Sequence, residues 1–171
     1  MPIFSFEPIV DDKCKILILG TMPSVMSLSK QQYYGNKLNA FWRIMYALFD
    51  REPDDDYKKR KAFVLQHHIA VWDVLNACER EGSSDSDIKN PVLNDFSALY
   101  MRYPNIGSVC FNGGPASRLY GRFVEKPGES GEVRSFYNLP STSPAYTLSF
   151  DKKLEQWKLI LRLLEKNRLY N

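Results

Sequence analysis

The chain has 171 residues, with 44 % hydrophobic and 25 % charged side chains, a net charge of +3 and a sequence pI near 8.7. This is enough chain for one domain with a substantial core, and the mild basicity permits a polyanionic partner without requiring one. Three scattered cysteines (Cys14, Cys78, Cys110) fit neither a disulfide framework nor a metal knuckle, and no apolar run approaches the length of a membrane span. The expectation is one domain over residues 1–171, with reduced thiols, no metal or other cofactor and no membrane partner. It is expected to be a cytoplasmic monomer.

In chain order, Lys15 to Leu19 is a short apolar run that reads as a buried strand. Gly20-Thr21-Met22-Pro23-Ser24 follows as a tight turn, since Gly tolerates positive φ and Pro fixes φ. Ala40 to Phe49 reads as a helix with Asn39 at its N-cap, and Tyr57 to His67 as a second helix behind the acids Asp54-Asp55-Asp56. His67-His68 points in two directions from a helix and is not expected to share a metal. Ile69 to Trp72 is the second strand, ending at Asp73, and Gly82 to Asp87 is a polar loop. Asn94-Asp95 opens a helix that Pro104 stops. Ile106 to Phe111 is the third strand and ends in Asn112-Gly113-Gly114; Pro115 to Phe123 is the next helix. Glu125 to Glu132 reads as an exposed loop, Val133 to Tyr137 as the fourth strand, and Leu139 to Ala145 as the turn after it. Ser149 caps a final helix to about residue 167, with Leu154, Trp157, Leu161 and Leu164 as its apolar stripe.

Strands alternating with helices predict an α/β three-layer sandwich: a central, mostly parallel four-stranded sheet flanked by helices. In such sheets ligands bind in the crevice at the carboxyl ends of the strands. Four turns converge there, the first carrying Thr21, Met22 and Ser24, the others following Trp72-Asp73, Asn112 and Leu139. Neither a dinucleotide fingerprint nor a P-loop is present, and no histidine follows a strand. Asp73 is the lone carboxylate at a strand end. The crevice otherwise offers amides, hydroxyls, backbone N–H groups and aromatics, which suit a neutral, planar, hydrogen-bonding ligand such as a nucleobase.

Gly20 to Ser24, followed by Tyr33-Tyr34-Gly35-Asn36-Lys37-Leu38-Asn39-Ala40-Phe41-Trp42, resembles the uracil-DNA glycosylase superfamily. Ile69 to Leu75, Phe111-Asn112-Gly113 and Leu139-Pro140-Ser141-Thr142-Ser143-Pro144-Ala145 bring it closer to the branch that acts on hypoxanthine (deoxyinosine) in DNA. The similarity runs from about residue 15 to 158. It implies a monofunctional, base-flipping DNA glycosylase acting on DNA that contains deaminated bases, chiefly hypoxanthine, and nucleoid-associated in a prokaryote. Alternatives are a mismatch-specific uracil/thymine glycosylase and a catalytically weak nucleic-acid-binding relative.

The resemblance also distributes roles. Asn39 matches the catalytic asparagine of the hypoxanthine branch, and the Thr21, Met22 and Ser24 turn matches the catalytic first motif. Asn112 matches the base-reading asparagine. Its amide can accept from a ring N–H and donate to the adjacent carbonyl, a pattern that hypoxanthine and uracil share and adenine reverses. Tyr34 matches the aromatic that stacks on the flipped base, with Tyr33 as the register alternative. Pro140, Ser141, Thr142 and Ser143 match the loop that pinches the DNA backbone and fills the gap. Two departures stand out. Met22 occupies the position usually held by a water-orienting Asp or Asn, and Leu139 the one usually held by a His or Asn that carries charge on the leaving base.

Overall fold

A computed structural model describes residues 1–123 and 134–169. The expected loop over Glu125 to Glu132 and the expected strand start at Val133 lie outside the described residues. Seven strands form: β1 (Ile3–Phe4), β2 (Ile16–Gly20), β3 (Ile69–Asp73), β4 (Leu75–Glu79), β5 (Lys89–Leu93), β6 (Ser108–Asn112) and β7 (Ser135–Leu139). Among the described residues seven α-helices accompany them: α1 (Val25–Lys30), α2 (Phe41–Ala47), α3 (Tyr57–Gln66), α4 (Phe96–Arg102), α5 (Gly114–Phe123), α6 (Phe150–Trp157) and α7 (Leu159–Leu169).

The central sheet has the order β3-β2-β6-β7, and every pairing in it is parallel. All five residues of β2, β3 and β6 are buried, which is why these strands read as continuous apolar runs and not as alternating ones. Helix α3 packs on β3, α5 on β6 and β7, and α7 on β2. The α/β architecture with a parallel four-stranded sheet is the one the sequence predicts. Strand β3 falls as expected, while β2, β6 and β7 run one or two residues later, so Asn112 and Leu139 are the last residues of β6 and β7 and not the first of their turns.

Three parts differ from expectation. Strands β1, β4 and β5 form a second, antiparallel sheet in the order β1-β4-β5, which the sequence did not announce. The final helix is interrupted at Lys158, and the break rotates the buried face. Ile160 and Leu163 are buried, while Leu161 and Leu164 are only half-buried. A short helix, α1, follows the first turn directly, capped by Ser24, whose Oγ accepts from Ser27 N–H at 3.1 Å. Two other caps fall where expected, Asp95 on α4 and Ser149 on α6, and Asp56, the last of the acids before α3, caps that helix; each accepts a backbone N–H of the first turn.

Candidate active site

The pairing register sets the site. Gly20 lies opposite Asp73 on one side, and Leu19 lies opposite Phe111 on the other. The last residues of three adjacent strands, Asp73, Gly20 and Asn112, therefore stand level at the carboxyl edge of the sheet. Above them opens a cavity of about 640 Å³, within the range of small-molecule sites. It gathers Thr21, Met22, Ser24, Tyr33, Tyr34, Asn39, Asn112, Ser141, Thr142 and Ser143. Of the residues singled out from sequence, Pro140 and Leu139 do not line it. The Pro140 carbonyl instead accepts from Trp157 Nε1 at 2.9 Å, which moors the loop to α6.

Asn112 sits at the centre of a closed network. Its Oδ1 accepts from Thr142 N–H at 2.9 Å, and its Nδ2 donates to Thr142 Oγ1 at 2.9 Å and to the Tyr34 hydroxyl at 3.1 Å. A backbone N–H can only donate, so the amide has one orientation. Both amide hydrogens are committed; the second lone pair of Oδ1 is what remains for a ligand. Gly113 follows at φ +96, and a Cβ there would meet Ser141 Cβ at 3.1 Å, so glycine lets the two turns close together.

Thr142 is the keystone of the β7 turn. Besides its two bonds to Asn112, its carbonyl accepts from Ala40 N–H at 3.0 Å, at the start of α2. With 1 % of its surface exposed it faces inward. The DNA-facing role expected for Thr142 therefore does not match its placement; Ser141 and Ser143 on either side are half-buried. Ser143 O accepts from the buried Lys153 Nζ at 3.0 Å, and burial lowers the pKa of that ammonium.

Tyr34 adopts φ +54, a left-handed conformation that costs a non-glycine residue about 1 kcal/mol or more. Its ring stacks on Phe41 with centroids 3.9 Å apart, and its hydroxyl takes the Asn112 bond. Burial, and then the nearby Asp73, push its ionisation far up, so it stays a neutral phenol. Tyr33 is turned differently. It is buried, and its hydroxyl donates to the Phe6 and Glu7 carbonyls at 3.2 and 3.0 Å. The structure thus brings Tyr34, and not Tyr33, to Asn112.

The N-cap of α2 lies one residue later than expected, and Asn39 caps the helix from the position before it. Ala40 holds the N-cap and makes no side-chain cap, while Asn39 Oδ1 accepts from Phe41 N–H at 2.9 Å from one residue earlier. This occupies one lone pair of Oδ1. The other lone pair and both Nδ2 hydrogens remain for a ligand in the cavity. Ser24, expected in the catalytic first turn, uses its hydroxyl to cap α1 and to bond Ser27 Oγ at 3.1 Å. Met22 is buried and presents a thioether to the cavity, and Leu139 is buried in the core.

The far wall was missed by sequence reasoning. Arg80, whose side chain is fully buried, donates to the Pro23 and Gly82 carbonyls and lies 3.6 Å from Asp85 Oδ1. Burial raises the pKa of Asp85 against the opposing pull of Arg80 and the Thr21 hydroxyl. The polar loop after β4 is therefore folded back onto the first turn, and it brings Ser83, Ser84 and Asp85 to the cavity. Asp73 itself is 3 % exposed, with Oδ2 accepting from Ser5 Oγ at 2.7 Å. Burial pushes its pKa up to about 7; Asp85 adds to the rise, while Ser5 and Arg80 oppose it. Its position as the lone strand-end acid was the signal available in sequence.

The chain matches the uracil DNA glycosylase superfamily profile over residues 7–165. A hypoxanthine DNA glycosylase of Methanosarcina acetivorans is 37 % identical over 158 residues, 92 % of this chain and 96 % of that protein. One from Methanosarcina barkeri is 38 % identical over 109 residues, 63 % of this chain and 69 % of its own. A solution NMR structure from M. acetivorans, provisionally described as a uracil DNA glycosylase, superposes with a TM-score of 0.81 at 36 % identity, covering 96 % of this chain and 99 % of its own. With fold, strand-end cavity and near full-length relatives in agreement, this chain belongs to the uracil DNA glycosylase superfamily.

Proposed function

We propose that this protein is a monofunctional DNA glycosylase that removes hypoxanthine from DNA, with residues 1–171 acting as one unit. The observation that carries the reading is the closed Asn112–Thr142–Tyr34 network beneath a cavity lined by amides and hydroxyls, in a chain whose near full-length relative is named for hypoxanthine. The target nucleotide leaves the stack and enters the cavity, where Tyr34 offers its ring and Asn112 its remaining Oδ1 lone pair. Water attacks the sugar carbon, the N-glycosidic bond breaks, and the base leaves with a proton to give an abasic strand. Asn39 orients that water with its free amide groups while Oδ1 keeps its hold on α2, so capping and catalysis share one side chain. Ser141 and Ser143 flank the DNA backbone.

A panel of labelled oligonucleotides, each carrying one deaminated base, tests this in the presence of chelator and with alkali added afterwards. Deoxyinosine strands are expected to become alkali-labile, ahead of deoxyuridine strands. A panel that is inert throughout contradicts the assignment. Preference for deoxyuridine or for thymine mismatches favours the mismatch-specific alternative.

A further inference from the structure

The strand-end row has an ionisable member for which the glycosylase reading above has no use. Asp73 lines the cavity, and its two oxygens are unequally employed. Oδ2 accepts from Ser5, whereas among the described residues Oδ1 accepts no hydrogen bond. Oδ1 points across Gly20: a Cβ built there would lie 2.8 Å from it and 3.0 Å from the Tyr34 hydroxyl. Glycine thus keeps an opening between the carboxyl and the tyrosine. Asn112 lies two strands away, about 10 Å at normal strand spacing. From one sugar position the ring N–H of hypoxanthine reaches farther from the glycosidic nitrogen than that of uracil, and it is the one N–H a flipped hypoxanthine carries, so Asn112 and Asp73 cannot both accept it. Asn112 has little capacity left, since both its hydrogens and one lone pair serve Tyr34 and Thr142. Building on the hypoxanthine reading, we propose that Asp73 is a specificity-determining residue whose Oδ1 accepts the ring N–H of a flipped 6-oxopurine.

Adenine carries no hydrogen on that ring nitrogen, so an ionised Asp73 meets lone pair with lone pair and rejects it. The groups facing the carboxyl are Ser5 from the segment after β1, Arg80 and Asp85 from the loop after β4, and Tyr33, Tyr34 and Tyr57. Ser5 and Arg80 favour the ionised form, while burial and Asp85 oppose it, leaving a midpoint near 7. Purine capture therefore improves as pH rises through that value.

The test is single-turnover excision by the full chain between about pH 5.5 and 8, on strands carrying deoxyinosine, N1-methylated deoxyinosine or deoxyuridine. For the wild type, deoxyinosine excision should rise through neutral pH, and the N1-methylated strand should react about tenfold or more slowly, one lost polar contact to a buried group. Asp73→Asn, which keeps an acceptor oxygen but no titratable proton, should flatten the pH profile, and Asp73→Ala, which has no acceptor, should bring the two inosine strands together while leaving deoxyuridine least affected. Ser5→Ala keeps the carboxyl but removes a donor that favours its charge. It should retain the discrimination and shift the midpoint to higher pH, a result a merely structural tie would not produce. If Asp73→Asn fails to fold, the Ser5→Ala shift decides. A folded Asp73→Asn with an unchanged pH profile, a folded Asp73→Ala with an unchanged inosine ratio, or an unmoved midpoint in Ser5→Ala, overturns this proposal alone. A wild type inert on deoxyinosine overturns the functional reading, and this inference with it.

Discussion

The two ends of the strand-end row are built on opposite plans. Toward β7, Asn112, Thr142, Tyr34 and Ala40 are linked by hydrogen bonds that use nearly all their capacity, and they contain no charge. Toward β3, Asp73, Asp85 and Arg80 are buried or partly buried charges, with Asp73 Oδ1 and Arg80 NH1 left without a hydrogen bond among the described residues. Satisfied polar networks order loops and add stability, whereas buried charges with spare capacity cost stability and are kept where they act. The neutral end holds the shape of the pocket, and the charged end carries its response to ligand and pH.

This contrast can be broken most forcefully at the moorings of the neutral end. Trp157 is fully buried and donates to Pro140, so Trp157→Ala should cost about 3–5 kcal/mol and loosen the β7 turn. Urea denaturation followed by far-UV circular dichroism measures it; a cost below about 1 kcal/mol would show that the turn does not depend on α6. Next in size is Asn39→Ala, which should lower single-turnover excision of hypoxanthine about 100-fold, while the loss of the 2.9 Å bond to Phe41 costs about 1 kcal/mol. Asn39→Asp keeps the capping oxygen and separates the two roles. If Asn39→Ala melts lower yet turns over normally, capping is all that Asn39 does.

Asn112→Ala and Asp73→Asn should then move stability in opposite directions. The first strands a buried Thr142 N–H and should cost about 1–3 kcal/mol. The second removes a carboxyl whose folded pKa, about 7, lies above its ordinary 3.8. The native state binds the extra proton between those values, so the wild type loses stability as pH rises through that window. The Asp73→Asn variant should gain on it by at most about 1.4 kcal/mol per pH unit. Melting curves of both proteins between about pH 4.5 and 7.5 check the sign; parallel curves would show that Asp73 is not held proton-bound. The smallest effect is expected from Met22→Asn, which returns an amide to the first turn in a side chain of similar length. Deoxyuridine excision should rise severalfold relative to deoxyinosine, measured by single turnover. An unchanged ratio in a folded variant would show that Met22 does not face the attacking water.

The neutral end was largely legible in sequence and the charged end was not, for physical reasons. Buried parallel strands such as Ile16–Gly20 announce themselves as apolar runs, and the turns that follow them hold amides and hydroxyls at fixed places. That placed Asn112 at a strand end, while Tyr34 and Asn39 were marked by the resemblance to the glycosylase superfamily. The charged wall depends on β4 and β5, an antiparallel pair with Pro91 inside a half-polar strand and register irregularities, which leaves no clear alternation to read. Without that pair, Gly82 to Asp87 is only a polar loop, and nothing local tells that Arg80 is fully buried against Pro23. The capping bond of Ser24 was illegible for a related reason, since helix α1 has six residues and no apolar period to announce it. Lys158 interrupts the last helix within a continuous helical pattern, and the register of its buried face after the break comes from packing and not from spacing.

The central claim is that the cavity above Asp73, Gly20 and Asn112 hydrolyses the glycosidic bond of hypoxanthine and leaves the strand whole. Mass spectrometry of the products from a deoxyinosine duplex under single turnover tests it most directly. The account predicts free hypoxanthine in amounts equal to abasic strand, with no strand cleavage before alkali and with both products lost in Asn39→Ala. No free base from the wild type, or release that Asn39→Ala leaves intact, would contradict it.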